Sequence, residues 1–523
     1  MVGLIRALHQ RPRPSPDAPM KPLPWWWILI AVVTVIASVW ITTESLLAVV
    51  ADATGAPPTE VAKLRVDAIR TGLTVGAGTG GAVALALAMR RQWLNERMHA
   101  HEQRVATATM HDANERRITE LYTKAVDSLG HEKAAVRLGA LYALERLAQA
   151  ETRQRQTIVD VICAYLRMPY ADKENIHEDN DYAGSDATSG DDSDAGEKQV
   201  RVAAQRILTN HARFDEDEGG VDPPSTYWPD VNIDLRGATL FNFDFRACRI
   251  AHGQFGDTVF VGTARFGKAS FRDRSSFRRS EFRGHAWFED ARFLAGIRFE
   301  DAIFNATSQF TGARFEAIAL FDRVRFNGSC GFTRARFAAA VSFADTLFGS
   351  DAAFRNTDFM DGVSFRRSCF SARARFGDSR YAKSCNFDFA SFSGDTGFGN
   401  SRFDGRAKFI EASFERAVRF GGSEFRSAVR LDRAKFHETV SFANAIFFSV
   451  LRLTATEFRG PVQMTGARFH RKMIQNLPAG WCLSTPEDDD SPFVLVRCED
   501  AGGSPGYQVS ADELEEPPAD PPV

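Results

Sequence analysis

From Phe255 to Phe469 a large apolar residue recurs at alternating intervals of five and six residues. The series has 40 members, 36 of them Phe; the others are Tyr381, Leu431, Leu453 and Met464. Neither a helix nor a flat strand has this period. A helix would scatter such positions around its surface, and a strand would send them alternately to its two sides. A fixed long-range period arises when each repeat stacks on the one before and buries the same position every time. A second column agrees with this. The residue two before each ring is small or β-branched, as at Ala264, Ala269, Ser275, Ala286, Ala291, Val324 and Ala335. Residues i−2 and i of an extended segment share a side, so one inward position takes the ring and the other fits beside it. The remaining positions are rich in Arg, Asp, Glu, Ser, Asn and Gly, as an outer surface requires. Before Phe255 the interval is a plain five, through Leu235, Leu240, Phe245 and Ile250.

A five-residue unit with a central Leu or Phe and a small residue two before it resembles the pentapeptide-repeat signature. Gly237-Ala238-Thr239-Leu240, Ala264-Arg265-Phe266, Ala313-Arg314-Phe315 and Ala335-Arg336-Phe337 carry it. The stretch from about Leu235 to Phe469 is similar to the Phe-rich branch of that family, in which an eleven-residue double unit replaces two fives. The resemblance implies an all-β, right-handed quadrilateral β-helix, a solenoid of about 22 residues per coil and about ten coils. The sequence by itself shows only the eleven.

Upstream the organisation changes. Residues 1–24 form a basic tail, and residues 25–92 read as a two-span transmembrane hairpin with α-helical spans. The first apolar segment opens on Trp25, Trp26 and Trp27, side chains suited to the headgroup level, and runs to about Val50. The second runs from Thr71 to Met89, between Arg70 and the Arg90-Arg91 pair. Each is near the roughly 20 residues that cross a bilayer. A cleaved signal peptide is the alternative for the first, and a buried soluble helix for the second. Arg6, Arg11, Arg13 and Lys21 precede the hairpin, and Arg90, Arg91, Arg97 and Arg104 follow it. The positive-inside bias therefore places both termini and the β-helix in the cytoplasm. Gly72, Gly76 and Gly80 recur every four residues, a spacing that lets helices approach closely within the hairpin or between copies.

Residues 93–170 are expected to form a helical stalk and a helical module. Residues 96–129 are charge-rich, and apolar positions from Leu121 to Leu166 mark three amphipathic helices, with Gly130 placed to end one. Residues 121–126 and 135–147 resemble a module found ahead of pentapeptide repeats in actinobacterial membrane proteins, which implies a bacterial cell membrane; the module is also similar to a single HEAT-type unit. One such unit cannot bury its apolar face alone, so it is expected to pack on itself, on a second copy or on a partner. Residues 171–198 read as an acidic disordered linker, with ten Asp/Glu against two Lys. Residues 199–230 read as a short helix, from about Gln199 to His211, and the entry to the solenoid. Residues 231–470 are the β-helix, and residues 471–523 an acidic, Pro-rich tail with a short strand at residues 493–496.

The chain's net charge of −3 hides local asymmetry, because residues 231–470 carry 36 Lys/Arg against 25 Asp/Glu. Its seven Cys are odd in number and scattered, with Cys248, Cys330 and Cys385 at the small position beside a ring, so a reducing compartment and no disulfide framework are expected. There is no glycine-rich phosphate loop, zinc-binding His/Glu pair or nucleophile elbow. No enzymatic activity and no cofactor are expected. One surface column stands out if a coil holds about 22 residues: Arg292, Arg314, Arg336, Arg380, Arg402 and Arg468 share a register, interrupted by Asp358, Glu424 and Ile446. Such a stripe is either a solvated face neutralised by neighbouring acids or an anion- and partner-binding surface. The expected function is a membrane-anchored scaffold for an unidentified protein partner, with self-association through the hairpin or the helical module as a further option. Binding of anionic lipid or nucleic acid through the basic face is the alternative. The resemblance also brings DNA mimicry toward type II topoisomerases, but a basic rod argues against it.

Overall fold

The computed structural model describes residues 26–51, 57–170, 191–214, 224–468, 474–478, 480–483 and 495–497. The basic tail, the acidic stretch 171–190, most of the acidic C-terminal tail and Phe469 lie outside the described residues. The chain divides into two units, residues 1–117 and residues 118–523.

In the first unit, helix α1 spans Trp26–Ala51, and helix α2 starts at Pro58 and runs to Leu129. The segments Leu29–Ala51 and Glu60–Trp93 are long and apolar enough to cross a membrane. Their hydroxyl groups are satisfied within the helices: Thr34 Oγ1 donates to Ile30 O at 2.7 Å, Thr43 Oγ1 to Val39 O at 2.6 Å and Thr74 Oγ1 to Arg70 O at 2.8 Å. Such back-bonding removes the need for water around a polar side chain in an apolar stretch. The two helices touch where α2 has no side chain. A Cβ on Gly72 would collide with Thr43 Oγ1, and one on Gly76 would stand 2.7 Å from Val39 Cγ2. A Cβ on Gly80 would meet nothing within 4 Å, so the third glycine lies outside this contact.

The second unit is a solenoid with a helical cap. Four parallel sheets of 12, 11, 10 and 10 strands form its sides. Side 1 runs from Asn232–Asp234 to Ile474–Gln475, side 2 from Thr239–Phe241 to Glu457–Phe458, side 3 from Ala264–Arg265 to Val462–Gln463, and side 4 from Arg249–Ile250 to Ile446–Phe447. The twelve strands of side 1 are separated by about eleven turns. Ser275 pairs with Ile297 and Ile297 with Ala319, so a coil holds 22 residues. The first coil is shorter, with Asn232 paired to His252, because its intervals are plain fives. The last is longer by one, with Leu451 paired to Ile474, which carries the solenoid past residue 470.

The alternation of five and six has a local cause. On sides 1 and 3 the two-residue strand precedes the ring, as at Ser275–Ser276 before Phe277; on sides 2 and 4 it contains the ring, as at Glu281–Phe282. The five-residue corner is a β-turn, with the Ser280 amide donating to Phe277 O at 3.1 Å. Its third residue, Arg279, has φ 56°, as a type II turn requires. The same left-handed position recurs every eleven residues, at Asp290, Asp301, Gly312, Arg323 and onward. The rings fill the interior. Each stacks on its equivalent in the next coil, as Phe277 on Phe299 at 4.9 Å and 5°, and meets its neighbours across the coil edge-on, as Phe266 against Phe277 at 5.2 Å and 90°. Stacked and edge-to-face contacts are the arrangements that ring quadrupoles favour.

Tyr381 breaks the pattern chemically. It is fully buried between Phe359 and Phe403, and its hydroxyl has no hydrogen-bond partner. A buried unpaired hydroxyl costs about 1–3 kcal/mol. Tyr381→Phe is therefore expected to raise stability by that amount, read as a higher denaturation midpoint of the detergent-solubilised chain; an unchanged or lower midpoint would show that the hydroxyl is satisfied.

The helical module packs on itself and on the first coil of the solenoid. The end of α2, α3 (Ala134–Ala150), α4 (Arg155–Arg167) and α5 (Asp191–Ala212) share one core with the first coil, burying Leu141, Leu144, Ile158, Ile162, Leu166, Ala204 and Leu208. Two glutamines replace the missing strand at the solenoid's open end. The Gln156 side chain accepts from Asn232 N at 2.9 Å and donates to Asn232 O at 3.0 Å, on side 1. Gln205 does the same to Phe241 on side 2, at 2.8 and 3.0 Å. Paired this way, the first strands present fewer free backbone groups for edge-to-edge association. Helix α5 begins at Asp191, so the acidic segment is helical from there and not disordered up to residue 198. At the other end, Trp481–Leu483 pairs antiparallel with Leu495–Arg497, and the Trp481 ring meets Phe458 at 5.4 Å. Cys482 is disulfide-bonded, which counts against the expected reducing compartment. The thiols at Cys248, Cys330 and Cys385 are free and buried, and burial pushes them well above the usual thiol range.

Candidate binding surface of the solenoid

With the interior filled by rings, the solenoid's chemistry lies in its outward columns, each built from residues one coil apart. The corner after side 1 shows the usual pattern. Asp257, Arg279, Asp301, Arg323, Asp345 and Arg367 follow one another there, and the signs alternate. Arg279 bonds Asp257 at 2.6 Å, Arg323 bonds Asp301 at 2.7 Å and Arg367 bonds Asp345 at 2.5 Å. Hydrogen bonds from these guanidinium groups hold all three carboxyls below the usual carboxylate range. Exposed pairs of this kind contribute little each. They show instead that stacking at 22 residues favours opposite charges, because like charges about 5 Å apart repel by roughly 1 kcal/mol even in water.

Side 4 departs from that pattern. The structure places Arg292, Arg314 and Arg336 on three adjacent strands in direct register. Arg336 then faces Asp358, Asp358 faces Arg380, Arg380 faces Arg402, and Arg402 faces Glu424. Ile446 and Arg468 close the column as a bridge. So all six arginines lie in one column, yet the column has two halves. In the second half, Asp404 collects Arg402 at 2.7 Å, Arg380 at 3.1 Å and Arg426 at 3.7 Å. Burial works against the Asp404 charge, but the hydrogen bonds from Arg402 and Arg380 outweigh it and hold the carboxyl low. In the first half, Arg314 and Arg336 are exposed, and neither is within ion-pair distance of an acid among the described residues, although Arg336 stands in register with Asp358. Next to them, Arg249, Lys268, Arg292 and Arg314 line a surface depression in which Asp290 is the acid.

The corner from side 4 back to side 1 holds a feature that the linear sequence conceals. Over three successive coils it carries Leu294, Ala295 and Gly296, then Glu316, Ala317 and Ile318, then Ala338, Ala339 and Ala340. Met360 continues it on the next coil. Leu294 is 46% exposed and Ile318 54%. This corner is charged at Arg272, Asp273 and Arg274 and at Asp404 and Arg406, and turns apolar again at Phe448 and Val450. The apolar residues are 22 to 24 apart in the chain, so no local window collects them. Among the described residues no group of three His, Cys, Asp or Glu is placed to hold a metal ion.

A family model described as pentapeptide repeats (9 copies) matches residues 266–314. No curated protein and no solved structure matches the chain.

Proposed function

The chain is a pentapeptide-repeat protein, and from that premise we propose that it is a membrane-anchored, non-enzymatic scaffold whose β-helix presents a rigid surface to a protein partner on the cytoplasmic side. The observation that carries this reading is the filled interior of the rod. Stacked rings leave the regular outer columns as the part of the solenoid that can meet another molecule. Such columns give long, stiff, repetitive surfaces, which is how solenoids bind. The two apolar N-terminal helices supply the anchor. Binding of anionic lipid or nucleic acid is the second reading, favoured by the like-charged run Arg292, Arg314 and Arg336; a steep loss of affinity with salt would mark it.

Two observations bear on the side of the membrane. Basic residues flank the hairpin on its outer ends, which favours a cytoplasmic rod. The disulfide at Cys482 favours an oxidising compartment. Flanking charge acts during insertion, before a C-terminal disulfide can form, so it governs the proposal. Reporters fused at Glu60 and at the C-terminus are expected to report opposite sides, with the C-terminus inside. Reports from the same side would remove the hairpin, and a C-terminus outside would reverse the topology and agree with the disulfide.

A further inference from the structure

We propose that the first half of the arginine column and the apolar corner beside it form one docking seat for an acidic, amphipathic helix of a partner protein; this rests on the scaffold reading. Three observations converge. Arg292, Arg314 and Arg336 stack without the alternation of sign that the neighbouring corner shows, and Arg314 and Arg336 have no acid of this chain within ion-pair distance among the described residues. The adjoining corner is uncharged over the same three coils except for Glu316, and exposes Leu294 and Ile318. Along the coil Leu294 lies two residues beyond Arg292 and Ile318 four beyond Arg314, so the apolar anchors stand within about 10 Å of the arginine column, about the width of a helix with its side chains.

The repeat lengths match as well. Coils stack at about 4.8 Å, so the three guanidinium groups span about 9.6 Å along the rod. A helix lying parallel to the rod places carboxylates at i, i+4 and i+7 over about 10.5 Å, and flexible arginine side chains absorb the difference. Its apolar face then rests on the alanine corner, with Leu294 and Ile318 as anchors. Helix-in-groove recognition by apolar anchors and complementary charge is a general mode of binding. A lipid surface fits less well. Ala338, Ala339 and Ala340 make the corner flush, and a flush corner receives side chains where a membrane-inserting one would need protruding rings.

The test uses the full chain in detergent micelles and two labelled 18-residue synthetic helices, read by fluorescence anisotropy at about 0.15 M salt. One peptide carries Glu at i, i+4 and i+7 with Leu on the adjoining face; the other has the same composition with Glu on the opposite face. The matched peptide is expected to bind at least about tenfold more tightly. Arg314→Glu and Ile318→Asp should each weaken it tenfold or more, while Arg419→Glu on side 3 should change nothing and all three variants should melt as the parent does. Equal binding of the two peptides, or indifference to Arg314→Glu, overturns the seat. Pelleting with vesicles containing phosphatidylglycerol that is lost in Arg314→Glu, without any peptide preference, reassigns the surface to lipid and also overturns it. In cells, a photo-crosslinking amino acid at Ile318 should capture an acidic segment, identified by mass spectrometry. Protein adducts at Ser413 on side 2 with none at Ile318 would defeat this seat and leave the scaffold reading standing. Adducts at neither position would retire both.

Discussion

Replacing Phe343 by Ala is expected to cost about 3–5 kcal/mol, a large share of the roughly 5–15 kcal/mol that holds a typical protein folded. The ring is fully buried, stacked between Phe321 at 4.8 Å and Phe365 at 4.9 Å, with Phe332 and Phe354 edge-on at 5.3 and 5.5 Å. Removing it leaves a hole in a column whose spacing is set by the backbone ladder, so the neighbouring rings cannot close over it. The hydrogen bonds of that coil, such as Phe343 N to Ser364 O at 2.7 Å, oppose local collapse. The adjacent outward change Ala344→Ser should cost about 0.5 kcal/mol or less. A denaturation series separates the two sites; equal costs would mean that the interior is not the ring column.

Much of this fold was legible in the sequence because the solenoid writes its geometry as a period. The ring column, the small column and the stacking of Arg292 on Arg314 follow from intervals alone, once a coil is taken as two eleven-residue units. The residues that escaped this reading depend on tertiary placement. Gln156 and Gln205 are ordinary helix-surface residues in the sequence; only the fold sets their amides against the backbone of Asn232 and Phe241. The helical module was expected to pack on itself, on a second copy or on a partner; its helices do pack on one another, and their further mates, α5 and the first coil, lie downstream where the module's own pattern does not point. The apolar corner escaped for a different reason: its two exposed anchors, Leu294 and Ile318, lie in different columns 24 residues apart, so the 22-residue interval does not link them. The electrostatic division of the arginine column was hidden as well, because Asp404 reaches Arg380 from the corner one coil on. The acidic character of residues 171–198 pointed to disorder, yet α5 reaches back to Asp191, and its packing on α3, with Glu197 paired to Arg137 at 2.9 Å, sustains the helix.

Deletions of graded length test the coil itself and are expected to give the widest separation of outcomes. Removing residues 365–386 takes out one coil, puts Phe387 in the place of Phe365, and should leave a shorter folded rod. It also removes Arg367, so Asp345 loses its partner, a loss of about 1 kcal/mol or less for an exposed pair. Removing residues 365–375 takes out half a coil. The left-handed corner recurs every eleven residues, at Arg367 and Asp378, so rings and turns should still find their places. Everything downstream then moves to the opposite side of the rod, and the fold survives with its surface rearranged. Removing residues 365–369 is different. Phe370 would replace Phe365, but the next ring would arrive six residues later where the corner allows five. With the corners in their places, every second ring inside the rod would be replaced by Arg375, Asn386, Gly397, Lys408, Arg419 and their successors, and each unpaired buried charge costs several kcal/mol. Over the corners that follow, this sum exceeds what a protein of this kind has to lose. Circular dichroism melts of the three solubilised proteins should show cooperative transitions for the 22- and eleven-residue deletions and none for the five-residue deletion. A cooperative melt for the shortest deletion would refute the turn-based account of the five-and-six alternation.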